Sequence, residues 1–303
     1  MFVIGLIMSV GIRPIHAASY QMLTELGTSA EMIRRGNIEG FGFGANSVFD
    51  NPAGLYRTKH VSATAFASTL MTEVEYRNAA VSIKTVYGDI GVGYMESGVD
   101  GIKHTAQTDE GNIVTGDTFS SMRREVFLGY NLSITKSLHV GVSATGYLYD
   151  VYNYRATGYG LNAGLMYQFS DLEISIFSRN IIPLKVSFSN VEDSSYTGEE
   201  ELPLQTMVGI MYPFGDLRIR GQFRYDSINT LLAGSLEYSP SFLWHIVEIS
   251  AGYKEFSVMA DVSSTITMGV GLNLFGVHLD YAYEQSDHFE YESNTFASVG
   301  FNF

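Results

Sequence analysis

A chain of 303 residues with 46% hydrophobic content but a mean hydropathy of only +0.06 is too polar for a bundle of membrane helices, and no run reaches the roughly 18 consecutive apolar residues of a spanning helix. The formal net charge of −14 argues against nucleic acid as a partner, because phosphate binding needs Lys and Arg. Cys is absent, as suits export through an oxidising compartment, while Tyr (20), Phe (19) and Gly (31) are abundant and Pro (6) is scarce, a composition for strands and tight turns.

The chain opens on a short apolar run, Phe2 to Ile12, followed by Ile15-His16-Ala17, which has the look of a cleavage site ending in a small residue. Residues 1–17 therefore read as a signal peptide of a Gram-negative exported protein. Residues 18–56 do not alternate. Thr28 to Arg35 predicts a short helix, with Thr28 or Ser29 as its cap and Glu31 in its first turn. Gly40-Phe41-Gly42-Phe43-Gly44 has the wrong spacing and context for a nucleotide-binding turn, and reads as a tightly folded segment small enough to lie inside a barrel.

From residue 57 the pattern changes to alternation. In Val277–Glu284, Val277, Leu279, Tyr281 and Tyr283 share one face, and His278, Asp280, Ala282 and Glu284 the other. Such runs recur at 57–70, 74–84, 88–97, 121–134, 138–150, 155–169, 172–180, 203–213, 217–226, 231–240, 245–255, 265–274, 277–285 and 294–303. Their number is even, and their lengths are near the roughly 9–11 residues of a tilted membrane strand. Links after even-numbered runs are short (135–137, 170–171, 214–216, 275–276), whereas most links after odd-numbered runs are long (98–120, 181–202, 256–264, 286–293). The long ones gather acidic residues, which suits a cell surface. Short turns on one side and long loops on the other are the habit of outer-membrane barrels. Lipid offers no hydrogen bonds to an open sheet edge, so the last run must pair with the first. The expectation is all-β: a 14-stranded antiparallel transmembrane β-barrel over 57–303, bathed in membrane lipids, with 18–56 inside its lumen.

Alternation also assigns the faces. Val126, Leu128, Tyr130, Leu132 and Ile134 point out, as do Leu217, Ile219, Phe223 and Tyr225. Glu125, Phe127, Gly129 and Asn131, and Arg218, Arg220, Gln222 and Arg224, point in. An arginine facing lipid at mid-depth costs about 2–4 kcal/mol, so three of them at period two belong in the lumen. Expected partners are Glu125, Glu173, Glu248, Asp280 and Glu284. These charges either line a path or fill and rigidify a narrow barrel. Tyr130, Tyr147, Tyr167, Phe169, Tyr238, Trp244 and Tyr253 fall near strand ends, where interface girdles sit. Gly88, Gly91, Gly93 and Gly98 make the third run glycine-rich. They either kink the wall into a lateral opening, at Gly88, Gly91 and Gly93, or make room for the N-terminal segment.

Asn51-Pro52-Ala53-Gly54-Leu55, directly before the first strand, resembles the hatch motif of FadL-type transporters. The resemblance implies a fourteen-stranded barrel with an N-terminal hatch (residues 18–56 here, with Asn51, Pro52, Ala53 and Gly54) that carries long-chain fatty acids and other hydrophobic molecules across the outer membrane. Three features look closer to the PorV/PorQ-like branch and a related family of spirochaete outer-membrane proteins. They are Asn180 with Ile181-Ile182 in place of Asn-Leu-Gly, Leu202-Pro203 before Val208-Gly209-Ile210, and Leu279-Asp280-Tyr281-Ala282-Tyr283. That branch implies a barrel serving as a partner in protein secretion or surface attachment. Seven scattered His without metal-ligand spacing argue against an enzyme, and no cofactor is expected.

Overall fold

The computed structural model describes residues 26–70, 74–107, 113–182, 184–190, 197–225, 229–258, 261–286 and 294–303. The expected signal peptide lies outside them. The strands are β1 Val61–Leu70, β2 Val74–Thr85, β3 Gly88–Gln107, β4 Ile113–Ser133, β5 Leu138–Val151, β6 Tyr154–Phe169, β7 Leu172–Ile182 and β8 Leu184–Asn190. They continue as β9 Thr197–Leu202, β10 Gln205–Phe214, β11 Leu217–Tyr225, β12 Thr230–Tyr238, β13 Val247–Val258, β14 Asp261–Leu274, β15 Val277–Ser286 and β16 Asn294–Asn302.

Each strand pairs antiparallel with its ring neighbours, and β5 pairs with β6 to close the ring. Fourteen strands make the ring, while β8 and β9 form a hairpin that extends it along β6. The C-terminal run closes on the first strand as expected, with Ala65 opposite Val299 and Phe303 N–H donating to Val61 O at 2.9 Å. The expected inside and outside hold: Val126 and Leu128 are 52% and 57% exposed, and Glu125 and Phe127 between them 0% and 1%. Such an exposed apolar face suits a lipid-facing band. Short turns at 86–87, 134–137, 170–171, 215–216 and 275–276 share one end, and the two-residue turn 152–153 between β5 and β6 lies at the other. Phe169, Phe214, Trp244, Phe275 and Phe303 stand exposed around the shared end, like an interface girdle.

Three expectations are corrected. Strand 1 starts at Val61, not 57, because Pro52–Arg57 forms a 3-10 helix whose N-cap is Asn51. Most of 98–120, 181–202 and 256–264 is strand rather than loop, since β3, β4, β7 to β9, β13 and β14 run on. Residues 114–118 are exposed on both faces. Beyond the lipid neither face must be apolar, so alternation fades while the ladder continues. Tyr147 is buried on the lumen side of β5, against Ala156, Val186 and Leu202, and is no girdle residue. Asn180 sits at φ +54 in a bulge where the β6–β7 register shifts. Its backbone N–H donates to Asn162 Oδ1, and its Nδ2 to Pro203 O, both at 3.1 Å, so Asn180 and Pro203 form one bend.

Candidate functional site

Residues 26–57 pack against the inner face of the wall, and the packing differs from side to side. Helix α1, Ala30–Arg34, is capped by Ser29, whose hydroxyl accepts from Met32 N–H, one of the two caps expected from sequence. A 3-10 helix, Gly44–Val48, and then Pro52–Arg57 follow.

Towards β1–β4 and β16 the contact is apolar. Val48, Phe49 and Leu55 meet Phe66, Tyr76, Met95, Phe127 and Phe296, and Phe49 lies edge-on to Phe127 at 5.2 Å between centroids. Glycines make this fit possible. A Cβ at Gly93 would come within 2.4 Å of the Phe49 ring, and one at Gly91 within 2.9 Å of Leu55. The ladders from Gly88 to Gly98 run unbroken against β2 and, up to Val99, against β4. In this structure Gly88, Gly91 and Gly93 thus leave no gap in the wall, and the latter two act as notches for the segment within.

The Asn51-Pro52-Ala53-Gly54 turn is seated against β5–β7. Asn51 Oδ1 accepts from Ala53 N–H at 3.0 Å, and its Nδ2 donates to Ser175 Oγ at 2.9 Å. Pro52 opens the helix where its missing N–H costs nothing. A Cβ at Gly54 would sit 2.6 Å from Ser47 Oγ. Arg57 and Tyr56 both reach Glu173, and Tyr56 stacks on His139 at 3.6 Å and 4°. Burial pushes the Tyr56 phenol up to about 12, so it is a neutral donor.

Towards β11–β15 the contact is ionic. Arg34 pairs with Glu237 (3.0 Å), Asp280 (2.9 Å) and Glu248, and Arg35 with Glu31, Glu237 and Glu248. From the wall, Arg218 (2.8 Å) and Arg220 (3.1 Å) bind the same Glu237, which is 0% exposed. Four arginines thus face four carboxylates. Arg224 and Arg179 clasp Glu39. Of the expected partners, Glu248 and Asp280 join this network, but Glu173 takes Arg57 and Glu284 takes Lys254. Glu125 is buried in β4, outside it, and lies opposite Met95. Sequence reasoning missed Glu237, Arg34, Arg35, Glu39 and Arg179. Parity places Glu237 inward, and the register sets it directly opposite Arg218.

Asp50 is buried beside this region. Its carboxylate accepts from Gly40 N–H (3.1 Å) and Asn51 N–H (2.7 Å). Burial first, then the neighbouring Glu39, raises it from 3.8 to about 7, against the pull of those N–H groups and of Arg179. A carboxyl raised on seating holds a proton that the released segment loses. Seating therefore weakens as pH rises from about 4 to 7, by an amount on the order of a few kcal/mol, and levels off above that. Ion conductance in planar bilayers is expected to rise between about pH 4 and 7 and to level off above, and Asp50→Asn to flatten that rise. An unchanged slope in the variant would count against Asp50.

A closed fourteen-stranded barrel whose lumen holds a chain segment is the class this geometry defines. Solved structures share the fold. The toluene transporter TodX of Pseudomonas putida aligns at TM-score 0.65 and 12% identity, over 91% of this chain and 98% of that one. A FadL homologue of Pseudomonas aeruginosa aligns at 0.55 and 8%, over 91% and 98%. A TodX mutant described as a monoaromatic hydrocarbon channel aligns at 0.63 and 11%, over 91% and 99%. The PorV/PorQ-like branch gains no support from these neighbours. No protein-family model matches the sequence, and no curated protein matches it.

Proposed function

We propose that this chain is an outer-membrane channel for hydrophobic small molecules and that residues 26–57 are its hatch. The observation that carries this reading is the two-sided lumen. Apolar side chains beside Asn51–Gly54 suit a hydrophobic solute, and charge pairs fix the opposite side of the segment. Ligand entering from the long-loop end would meet Phe127, Met95, Phe66 and Phe296, and would compete with Val48, Phe49 and Leu55 for them. The toluene transport of TodX supports the same reading. Long-chain fatty acids fit it too, as the resemblance implies. The attachment-partner alternative has no observation of its own.

Lateral exit through β3 requires its ladder to open near Gly91. Valines at Gly91 and Gly93 would strike Val48, Phe49 and Leu55 first, so that double variant reports on hatch seating before it reports on exit. The direct test is uptake of toluene and of a labelled long-chain fatty acid by cells with and without the chain. Uptake of at least one is expected to fall when the chain is removed; unchanged uptake of both overturns the proposal.

A further inference from the structure

The link between β12 and β13, Ser239 to Ile246, lies at the short-turn end but is longer than the turns around it, and it brings Phe242, Leu243 and Trp244 to the surface. Phe242 and Trp244 are 74% and 84% exposed. The neighbouring turns at this end, between β10 and β11 and between β14 and β15, add the exposed Phe214 and Phe275. Aromatics gathered in this way form an apolar patch of the kind that marks a contact surface.

The link is held in one shape. Trp244 and His245 have φ of +51 and +58, a region that bulky residues rarely adopt. His245 Nδ1 lies 2.7 Å from Ser239 O, and Ser241 donates from its N–H (2.9 Å) and its Oγ (3.1 Å) to Asp216 Oδ2 in the turn before. Asn273 N–H donates to Ile246 O at 2.7 Å and ties the other flank to β14. Every backbone N–H from Ser239 to Ile246 except that of Phe242 donates within the protein, and Pro240 has none to offer. A loop in water has no need of such closure, whereas a loop in lipid does.

The outward apolar face is also short in this sector. On β4 it runs from Val126 to Ile134, below Arg124, which pairs with Glu96 and Asp150, both at 3.1 Å. That is roughly 27 Å of strand, or about 21 Å along the membrane normal at a tilt of about 40°. On β13 it runs only from Val247 to Tyr253, below Glu255, which accepts from the Tyr253 hydroxyl at 3.1 Å. The same conversion gives roughly 20 Å of strand and about 16 Å along the normal. An outer-membrane apolar band is about 25 Å tall, so β13 falls short by about 9 Å, at the place where Phe242, Leu243 and Trp244 stand.

We propose that Ser239–Ile246 is a lipid-embedded finger, with Phe242, Leu243 and Trp244 seated at the acyl boundary of the leaflet on the short-turn side. An interfacial apolar face sinks about 5–10 Å, which is the depth that β13 lacks. The occupant is phospholipid, because the patch continues the exposed apolar face of Leu236 and Ile249 on the two strands that the link joins. The proposal rests on the outer-membrane reading and adds to it an anchor confined to one sector of the wall.

Trp244 is the only tryptophan of the chain, so its fluorescence reports on the finger alone. The full chain is folded into phosphatidylcholine vesicles with and without bromine on the acyl chains, and heat-modifiable gel migration checks the fold. Bromolipid is expected to quench Trp244 by about half or more, and acrylamide to quench it about fivefold less than in the urea-unfolded chain. Acrylamide quenching as strong as in the unfolded chain, with none from bromolipid, overturns the proposal and points to a soluble protein as the partner of the patch. Leu236→Trp in a Trp244→Phe background moves the reporter to the outward face of β12, where Leu236 is 51% exposed. Bromolipid quenching there but not at Trp244 sinks the finger and keeps the barrel in the membrane. Quenching at Trp244 alone keeps the finger and sinks the lipid-facing band, and quenching at neither position sinks both.

Discussion

Glu237→Leu is expected to expose Arg34 and Arg35 to trypsin, with cleavage rising by roughly 100-fold or more. In the native protein both arginines are 1–2% exposed and held by buried carboxylates. Glu237 alone serves four arginines, two from the lumen segment and two from the wall. A buried ion cluster is weak evidence of net stability, since desolvation offsets most of the attraction. Removing one partner is another matter, because it strands buried charge and costs about 3–5 kcal/mol. At about 1.4 kcal/mol per decade that is about two to three and a half orders of magnitude in the released population. Glu75→Gln is the control. Its pair with Arg77 has side chains 62% and 61% exposed, and exposed pairs contribute about 0–1 kcal/mol. Heat-modifiable migration separates release of the segment from collapse of the wall. Unchanged trypsin resistance in a folded Glu237→Leu barrel would sink the latch.

The same network shows what the sequence could and could not reveal. Period two put Arg218, Arg220 and Arg224 inside, because one wrong face in lipid costs kilocalories. The partners were not legible, because Arg34 and Glu237 are 203 residues apart and no local pattern encodes that contact. Fourteen ring strands were readable from short links on one side. The strand ends were not, since alternation is imposed by lipid and lapses where lipid ends, as at 114–118. Tyr147 illustrates the limit. An aromatic near a strand end suits a girdle, but the β5 register turns it inward, opposite Gly158. Glycines are the hardest case. Gly93 reads equally as a weak point in a strand or as room for the N-terminal segment, until Phe49 is seen filling the space a side chain would take. The Asn51–Gly54 motif stood out by its resemblance to a hatch motif, and its seat on Ser175 was not legible.

Gly141→Val should leave the barrel folded but permanently leaky. A Cβ at Gly141, on the lumen side of β5, would lie 2.3 Å from Ala53 N and 2.4 Å from Pro52 C. Those are backbone atoms, so no rotamer change relieves the clash, unlike Gly93, where the Phe49 ring can turn. Overpacking of this kind costs about 1–3 kcal/mol where side chains yield, and more where a backbone must move. The wall is fixed by ladders on both sides of β5, whereas the Pro52–Ala53 turn is held by Asn51 and the Glu173 pairings. The turn is therefore the part that moves. Conductance of single barrels in planar bilayers is expected to pass from closed to steadily open, while heat-modifiable migration is kept. Gly146→Val on the same strand is the matched control, because a Cβ there meets nothing within 4 Å. Equal conductance for the two valines would show that residues 26–57 do not block the lumen. A leak confined to Gly141→Val would assign the seal to the Asn51–Gly54 turn.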